Sequence, residues 1–492
     1  MTDWRGTTFD VRLGPPGHGG FCVARHEGRV VFVRHGLPDE LVRVRVTEDR
    51  GGSFCRADAI EILAASPDRV PATCPVSGPG GAGCCDFSFA TPAAQRALKA
   101  AVVVEQLRRI AGTEREVTVQ PIAGYPADVT GGWRTRVRLV VDAEGRAGVH
   151  GYRSTEVITD LRCPQPVSGA MDGIADRLWT PGADLVIAVD GDGMRHIVEL
   201  APSAVGRDER AGERPGARGG RGADRRGGDR RGGRGAGRAR GRDSDRHGGS
   251  GADRSGERGA DRRAAERRSA DRGPGGERDA DRRRASARRA ATHAARDEWV
   301  MGGSGRTVEY VAGRRWELSA TGFWQAHRGA AHCYSDLVAD WAGLGHGERA
   351  WDLYSGVGVF AARLADQVGQ TGSVLAVESA RSAVADGIAA LRDMPWLDLR
   401  AQRVEHWLAE HASSAAPEVV VLDPPRAGAG KEVVTAVTTS GPARIIHVGC
   451  DPASFARDLG LYQAAGYHLA ALRAFDAFPA THHVECLALL ER

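Results

Sequence analysis

The sequence predicts an α/β protein: a C-terminal doubly wound, Rossmann-like sheet, preceded by a small OB-like β-barrel and an α+β central segment that carries cysteines. Three observations carry this. From about residue 321, continuous apolar runs alternate with amphipathic stretches, the pattern of a mostly parallel sheet whose strands are covered on both faces by helices. Residues 8–64 hold five short strand-like runs separated by turn-rich GPPGHGG, HEGR, GLPDE and DRGGS, at spacings of roughly 8–12 residues, which suits a small antiparallel barrel. Residues 207–296 contain no Val, Ile, Leu, Met, Phe, Tyr, Trp or Cys. Such a segment cannot offset the entropy of ordering its backbone and is expected to be disordered.

The order of elements follows. Residues 1–66 form the barrel, through FDVRL, GFCVARH, GRVVFVRH, ELVRVRVTED and FCRADAIEIL. Residues 67–206 carry four cysteines, a strongly helical stretch at 92–112 and strand-like runs such as DLVIAVDG. Strand-like sequence resumes at RTVEYVAGRRWELSA, so 207–296 reads as a long insertion in one central domain made of 67–206 and 297–320. Residues 321–492 supply the doubly wound domain, with strands at RAWDLYS, SVLAVES, EVVVLDPP, ARIIHVGC, YHLAALRAF and HVECLALLE.

The chain of 492 residues has a net charge of +4. The insertion holds 28 Arg against 15 Asp and Glu, a net +13, which leaves −9 for the rest. Its ADRR and GGRG units resemble RNA-associating low-complexity tracts, and a solvated spacer with cancelling charges is an equal reading. No apolar run of about 20 residues is present, and the N-terminus lacks the apolar core of a signal peptide. A soluble, cytoplasmic protein without a membrane or protein partner is therefore expected. Nine cysteines are too few for a disulfide scaffold, and their clustering in a reducing compartment points to metal binding or catalysis.

In doubly wound sheets the ligand sits over the carboxyl ends of the strands. The first strand ends in Asp352-Leu353-Tyr354-Ser355-Gly356-Val357-Gly358, and the second in Glu378, 22 residues beyond Gly356. The glycines permit a tight turn and close approach of a ligand to backbone. A carboxylate at that spacing is placed to accept ribose hydroxyls. A short glycine turn without the third glycine of the dinucleotide fingerprint fits an adenosyl ligand lacking a pyrophosphate, S-adenosylmethionine. The next candidate is Asp423, at a strand end before Pro424-Pro425-Arg426, where the prolines stiffen a loop that can hold a carboxylate over the ligand.

The strand ARIIHVGC ends in Cys450, with Asp451 as cap and Pro452 at the first position of the following helix. A helix N-terminus favours a thiolate, and Asp451 opposes it. The last strand opens with Glu485, followed by Cys486, which reads as a small core residue. A thiolate and a carboxylate beside a methyl donor suit one reaction. Carbon 5 of uracil is a poor nucleophile, and addition of a thiolate at carbon 6 makes an enolate that activates it. Cys450 is then the nucleophile and Glu485 the base that removes the carbon-5 proton.

Phe323-Trp324-Gln325, DLYSGVG, Glu378, DPPRAG, Cys450 in GCDPASFARDL and Glu485 in HHVECLALLE together resemble the RNA uridine-5-methyltransferase family, which acts on tRNA or 23S ribosomal RNA. The resemblance covers nearly all of the chain outside 207–296. The barrel resembles the family's TRAM domain through GHGGFCVAR, VVFVRHGLP and Glu40, with Asp39 where the family's usual Pro-Gly-Glu has Gly. The resemblance implies that Gln325, Tyr354, Glu378 and Asp423 bind S-adenosylmethionine, beside Gly356 and Gly358 of the turn, and that Cys450 and Glu485 act as nucleophile and proton acceptor. Val359 and His327 stand where many members have Asn.

Members with an iron–sulfur cluster resemble Cys-x5-Cys-Gly-Gly-Cys plus a distant Cys. Here Cys74, Cys84, Cys85 and Cys163 are present, one of them moved from position 82 to 84. Adjacent cysteines are expected to point apart, which makes a single tetrahedral zinc awkward and a [4Fe-4S] cluster the better fit; zinc and no metal stay open. An RNA-binding or chaperone protein on a methyltransferase scaffold is the alternative function, and an enzyme with a protein or small-molecule substrate a third.

Overall fold

In the computed structural model, residues 3–203, 296–411 and 416–492 are described. The Arg-rich tract expected at 207–296 lies almost wholly outside them.

The N-terminal strands make a six-stranded sheet in the order Thr8–Arg12, Leu41–Asp49, Phe54–Ala64, Arg29–Arg34, Phe21–His26 and Pro16–Gly17. The backbone bond from Gly14 to the Val23 carbonyl and that from Val23 to the Pro15 carbonyl bring the first strand back to the fifth, as a small barrel requires. Val31, Val33, Val42, Val44 and Val46 fill its interior. Not all pairings are antiparallel: Arg29–Arg34 runs parallel to Phe54–Ala64, whose other edge pairs antiparallel with Leu41–Asp49. Asp39 holds a φ of 65°, the left-handed conformation that Asp tolerates better than most side chains. Glu40 beside it is fully buried, accepting from Leu37 N at 2.8 Å and from Arg69 at 2.6 and 2.7 Å.

The central region forms a second six-stranded sheet, with the strands Arg195–Leu200 and Glu298–Gly302 paired antiparallel at one edge. The two stretches of sequence on either side of the tract therefore belong to one sheet. A hairpin of Arg306–Val311 and Arg314–Ser319 follows.

The C-terminal sheet has eight strands, in the order Leu397–Ala401, Ser373–Glu378, Arg349–Leu353, Val419–Leu422, Arg444–Gly449, Glu485–Glu491, His468–Asp476 and Val119–Pro121. Five are parallel, as the continuous apolar runs predict. Helices Ala330–Ala342, Val359–Val368 and Arg381–Ala390 pack on one face and Val404–His411, Gly430–Ser440 and Pro452–Ala464 on the other. The eighth strand comes from the cysteine-bearing region, which also supplies the helix Pro92–Gln106. That helix is pinned by the fully buried Lys99, whose ammonium bonds Asp476 at 2.5 Å and the Phe478 carbonyl at 3.0 Å. Among the described residues no helix is long and apolar enough to cross a membrane.

Candidate active site

The first strand of the parallel sheet ends at Leu353, and the turn after it needs unusual backbone. Tyr354, Gly356 and Gly358 have φ of 64°, 56° and 83°. A Cβ added at Gly356 would meet no heavy atom within 4 Å, whereas one at Gly358 would come within 2.8 Å of Leu391. The first glycine thus leaves an open cradle and the second permits close packing. Glu378, at the end of the neighbouring strand, accepts from Gly356 N at 3.2 Å and from Ala380 N at 2.7 Å. The carboxylate is therefore fixed at the glycine turn. Asp352 anchors the helix beyond the turn by accepting from Ala361 N at 2.8 Å. Burial lifts its carboxyl to about 8.

Gln325 lies in a loop held by the central sheet. Thr135 N donates to the Ala326 carbonyl at 2.9 Å and Arg328 N to that of Trp133 at 3.0 Å. Trp324 packs near Trp316, whose indole N–H donates to the Val357 carbonyl at 3.2 Å, and this ties the loop to the glycine turn. His327 is buried between Trp133 and Tyr125, and burial lowers it to about 4, so the ring is neutral. The Tyr354 phenol leans towards the other helix layer, near Glu405 and Asp458.

The second group of candidates meets at the next strand ends. The antiparallel register pairs Gly449 with Cys486, so the following residue, Cys450, stands opposite Glu485. Gly449 has no room for a side chain, since a Cβ there would lie 2.8 Å from the Phe455 ring. Glu485 is buried and Asp423 half-buried; Asp423 acts on Glu485, and both act on the thiol. Burial lifts Asp423 to about 7, and burial together with Asp423 lifts Glu485 well above the carboxylate range. Arg426 opposes this as the nearby cation.

The loop that carries Asp423 and Arg426 is shaped by the helix after Cys450. Ser454 Oγ donates to the Arg426 carbonyl at 2.9 Å, and Asp458 accepts from Ala429 N at 2.7 Å. Asp451 caps that helix by accepting from Ser454 N at 2.9 Å, and Pro452 begins it. Cys486 is a buried core residue. Burial, Glu485 and Asp423 push the Cys450 thiol up to about 12, outweighing the helix terminus.

Sequence reasoning missed two polar contributors here. Tyr334 is fully buried on the helix Ala330–Ala342, with its hydroxyl unpartnered and facing Glu485 and Asp423. His18 of the barrel contacts Asp451 at 2.8 Å. A Tyr within an apolar helix and a His in a glycine-rich turn carry no local signal of such contacts.

The four cysteines of the central region converge. Proximity to Cys85 lowers the thiols of Cys74, Cys84 and Cys163, the last to about 7, and raises Cys85, whose sulfur accepts from Gln165 Nε2 at 3.2 Å. Cys84 is exposed and Cys85 buried, and Gly83 turns the chain there with a φ of 67°. Arg134 lies beside them. The donor set suits a soft metal, but among the described residues no three His, Cys, Asp or Glu side chains surround a metal-sized space. The expectation of an iron–sulfur cluster finds no support in this geometry.

Residues 4–59 match the TRAM domain, and residues 408–492 match the tRNA (uracil-5-)-methyltransferase family. An RNA methyltransferase of Streptomyces avermitilis is 38% identical over 99% of this chain and 98% of its own. A 23S rRNA (uracil(1939)-C(5))-methyltransferase of Alkalilimnicola ehrlichii is 28% identical over 98% of this chain and 96% of its own. The crystal structure of the Pyrococcus abyssi tRNA (uracil-54, C5)-methyltransferase with S-adenosyl-L-homocysteine shares the fold, with a TM-score of 0.59 and 18% identity over 98% of this chain and 100% of that one. With a TRAM barrel, a glycine turn paired to Glu378 and full-length likeness to RNA methyltransferases, the chain belongs to the S-adenosylmethionine-dependent RNA (uracil-5-)-methyltransferase family.

Proposed function

We propose that this protein methylates carbon 5 of a uridine in 23S rRNA, with tRNA as the competing substrate, and that Cys450 and Glu485 carry the chemistry. The observation that supports it most is the register that sets Cys450 opposite Glu485, with Asp423 and Arg426 against both. The full-length likeness to a 23S rRNA enzyme favours ribosomal RNA over the tRNA enzyme, which shares the fold alone.

S-adenosylmethionine, when bound, supplies an electrophilic methyl group on a sulfonium. The cradle over Gly356 and the carboxylate of Glu378 fit its adenosine, with Gln325, Tyr354, Gly358 and Asp423 as the remaining binding residues. Cys450 gives its proton to solvent and its sulfur bonds to carbon 6 of the base, the electrons of the carbon 5–carbon 6 double bond passing into an enolate. Carbon 5 then bonds the methyl carbon as that carbon's bond to the sulfonium sulfur breaks, which leaves S-adenosyl-L-homocysteine. Glu485 then takes the carbon-5 proton, the bond between carbon 6 and sulfur breaks, and Cys450 is restored. Arg426 is the nearby cation that opposes the lift on Glu485 and favours the charged carboxylate needed to accept that proton.

Methyl transfer from labelled S-adenosylmethionine to unmodified 23S rRNA and tRNA tests the reading. Label in 5-methyluridine from one RNA, abolished by Cys450→Ala, is expected. Glu485→Gln should accumulate a protein–RNA adduct, with turnover slowed by about 10²- to 10⁴-fold. No label in either RNA would instead indicate an RNA-binding protein on this scaffold.

Cys74, Cys84, Cys85 and Cys163 are kept as the candidate ligands of the [4Fe-4S] cluster that the family resemblance implies; the resemblance and the four-cysteine count carry this reading, and the geometry among the described residues does not. Iron and sulfide content of anaerobically purified protein decides it, and apo protein with normal activity would overturn it.

A further inference from the structure

The TRAM barrel reaches into the candidate active site. His18 lies in the turn between Pro16–Gly17 and Phe21–His26, and its Nε2 lies 2.8 Å from Asp451 Oδ2. The other oxygen of Asp451 accepts from Ser454 N at 2.9 Å. One carboxylate thus joins the barrel to the N-terminus of the helix that follows Cys450.

The turn is built for this approach. Gly19 and Gly20 have φ of 98° and 80°, and a Cβ at Gly20 would lie 3.2 Å from Asp86 and 3.4 Å from His482. Asp86 bonds both His482, at 2.5 Å, and Arg34 of the barrel, at 2.6 Å, which fixes the barrel against the loop leading to Glu485.

Charged and titratable groups face the pair from several elements. His18 senses Asp451, His482 and Arg426, and burial lowers it, so at neutral pH it acts as a neutral N–H donor. Cys450 senses Glu485, Asp423, Arg426 and Asp451.

We propose that His18 is a positioning residue for the nucleophile, holding the Asp451 carboxylate towards the barrel so that the helix cap is fixed and its charge is drawn away from the Cys450 thiol. This rests on Cys450 being the nucleophile. It also makes the barrel part of the active site rather than a separate RNA-binding appendage.

The test is the alkylation rate of Cys450 by iodoacetamide, followed by peptide mass spectrometry at a fixed alkaline pH, beside methyl transfer by the same full-length proteins. His18→Ala leaves one Asp451 oxygen unpaired and should slow alkylation about three- to tenfold, the effect of a half to a full pK. His18→Gln, which keeps a donor, should stay near the wild-type rate. Adding Asp451→Asn to His18→Ala should restore the rate, since Asn still caps the helix and carries no charge. A merely structural role for His18 would not be rescued by removing that charge.

Wild-type alkylation in His18→Ala, or slowed alkylation that Asp451→Asn fails to restore, overturns the proposal. Failure of the underlying reading is separate: it shows as methyl transfer that survives Cys450→Ala.

Discussion

Gly449 is the last residue of its strand before Cys450, and substitution by Ala tests how tightly the nucleophile is placed. An added Cβ would lie 2.8 Å from Phe455 Cδ2, 3.2 Å from Phe455 Cβ and 3.4 Å from Cγ. Ordinary carbon contacts are about 3.5–4.0 Å, so more than half an ångström must be absorbed. Phe455 is 1% exposed, in the core beneath the sheet and in the first turn of the helix that Asp451 caps. It has nowhere to rotate, and the strain passes to the strand end or to that helix, the two elements that flank Cys450. Overpacking of this kind costs about 1–3 kcal/mol, and a misplacement approaching 1 Å costs about 10²-fold in rate. Denaturant unfolding and single-turnover methyl transfer measure the two effects. Gly449→Ala should lose more in rate than in stability, and Phe455→Leu in the same chain should recover part of the rate. Wild-type rate and stability in Gly449→Ala would refute the claim that this contact places the thiol.

Lys99→Met leaves the buried Asp476 carboxylate and the Phe478 carbonyl without their ammonium partner. Loss of about 3–5 kcal/mol is expected in denaturant unfolding, and an unchanged midpoint would sink the assignment of Lys99 as the pin of its helix. Asp352→Asn bears on pH. The folded carboxyl titrates at about 8 and the unfolded one near 4, so wild-type stability falls as pH rises through that window. Asn keeps an acceptor for Ala361 N and does not titrate, so its advantage over wild type should grow from acid to neutral pH; parallel curves would count against burial of the charge.

What was legible in the sequence is what is written locally. Val419–Leu422 and Arg444–Gly449 are almost continuously apolar because both faces are covered, so the parallel sheet and the strand ends that carry Asp423 and Cys450 follow directly. Glu485 is legible for the same reason. Leu397–Ala401 escaped because only Leu397, Leu399 and Ala401 are apolar in an edge strand that alternates with Asp398 and Arg400. The parallel pairing inside the barrel and the addition of Val119–Pro121 to the C-terminal sheet join segments distant in sequence, where periodicity says nothing about partners. The contact of His18 with Asp451 was hidden for that reason too. The four cysteines were visible as a count and a spacing, whereas the left-handed turn at Gly83 just before Cys84 and Cys85 was not.

The state of the Cys450 thiol shows why a local motif can give the wrong sign. A helix N-terminus is worth about 0.3–1 kcal/mol to a nearby anion. Burial with Glu485 and Asp423 raises the thiol from 9 to about 12, an effect of about 4 kcal/mol in the other direction. The larger effect opposes the helix terminus, so the protonated form of Cys450 is favoured in the free protein. Cys450 in the free protein should therefore alkylate at neutral pH far more slowly than an ordinary exposed thiol, and adding RNA should change its rate. Rapid alkylation of Cys450 at neutral pH without RNA would show that the helix terminus outweighs the three carboxylates around it.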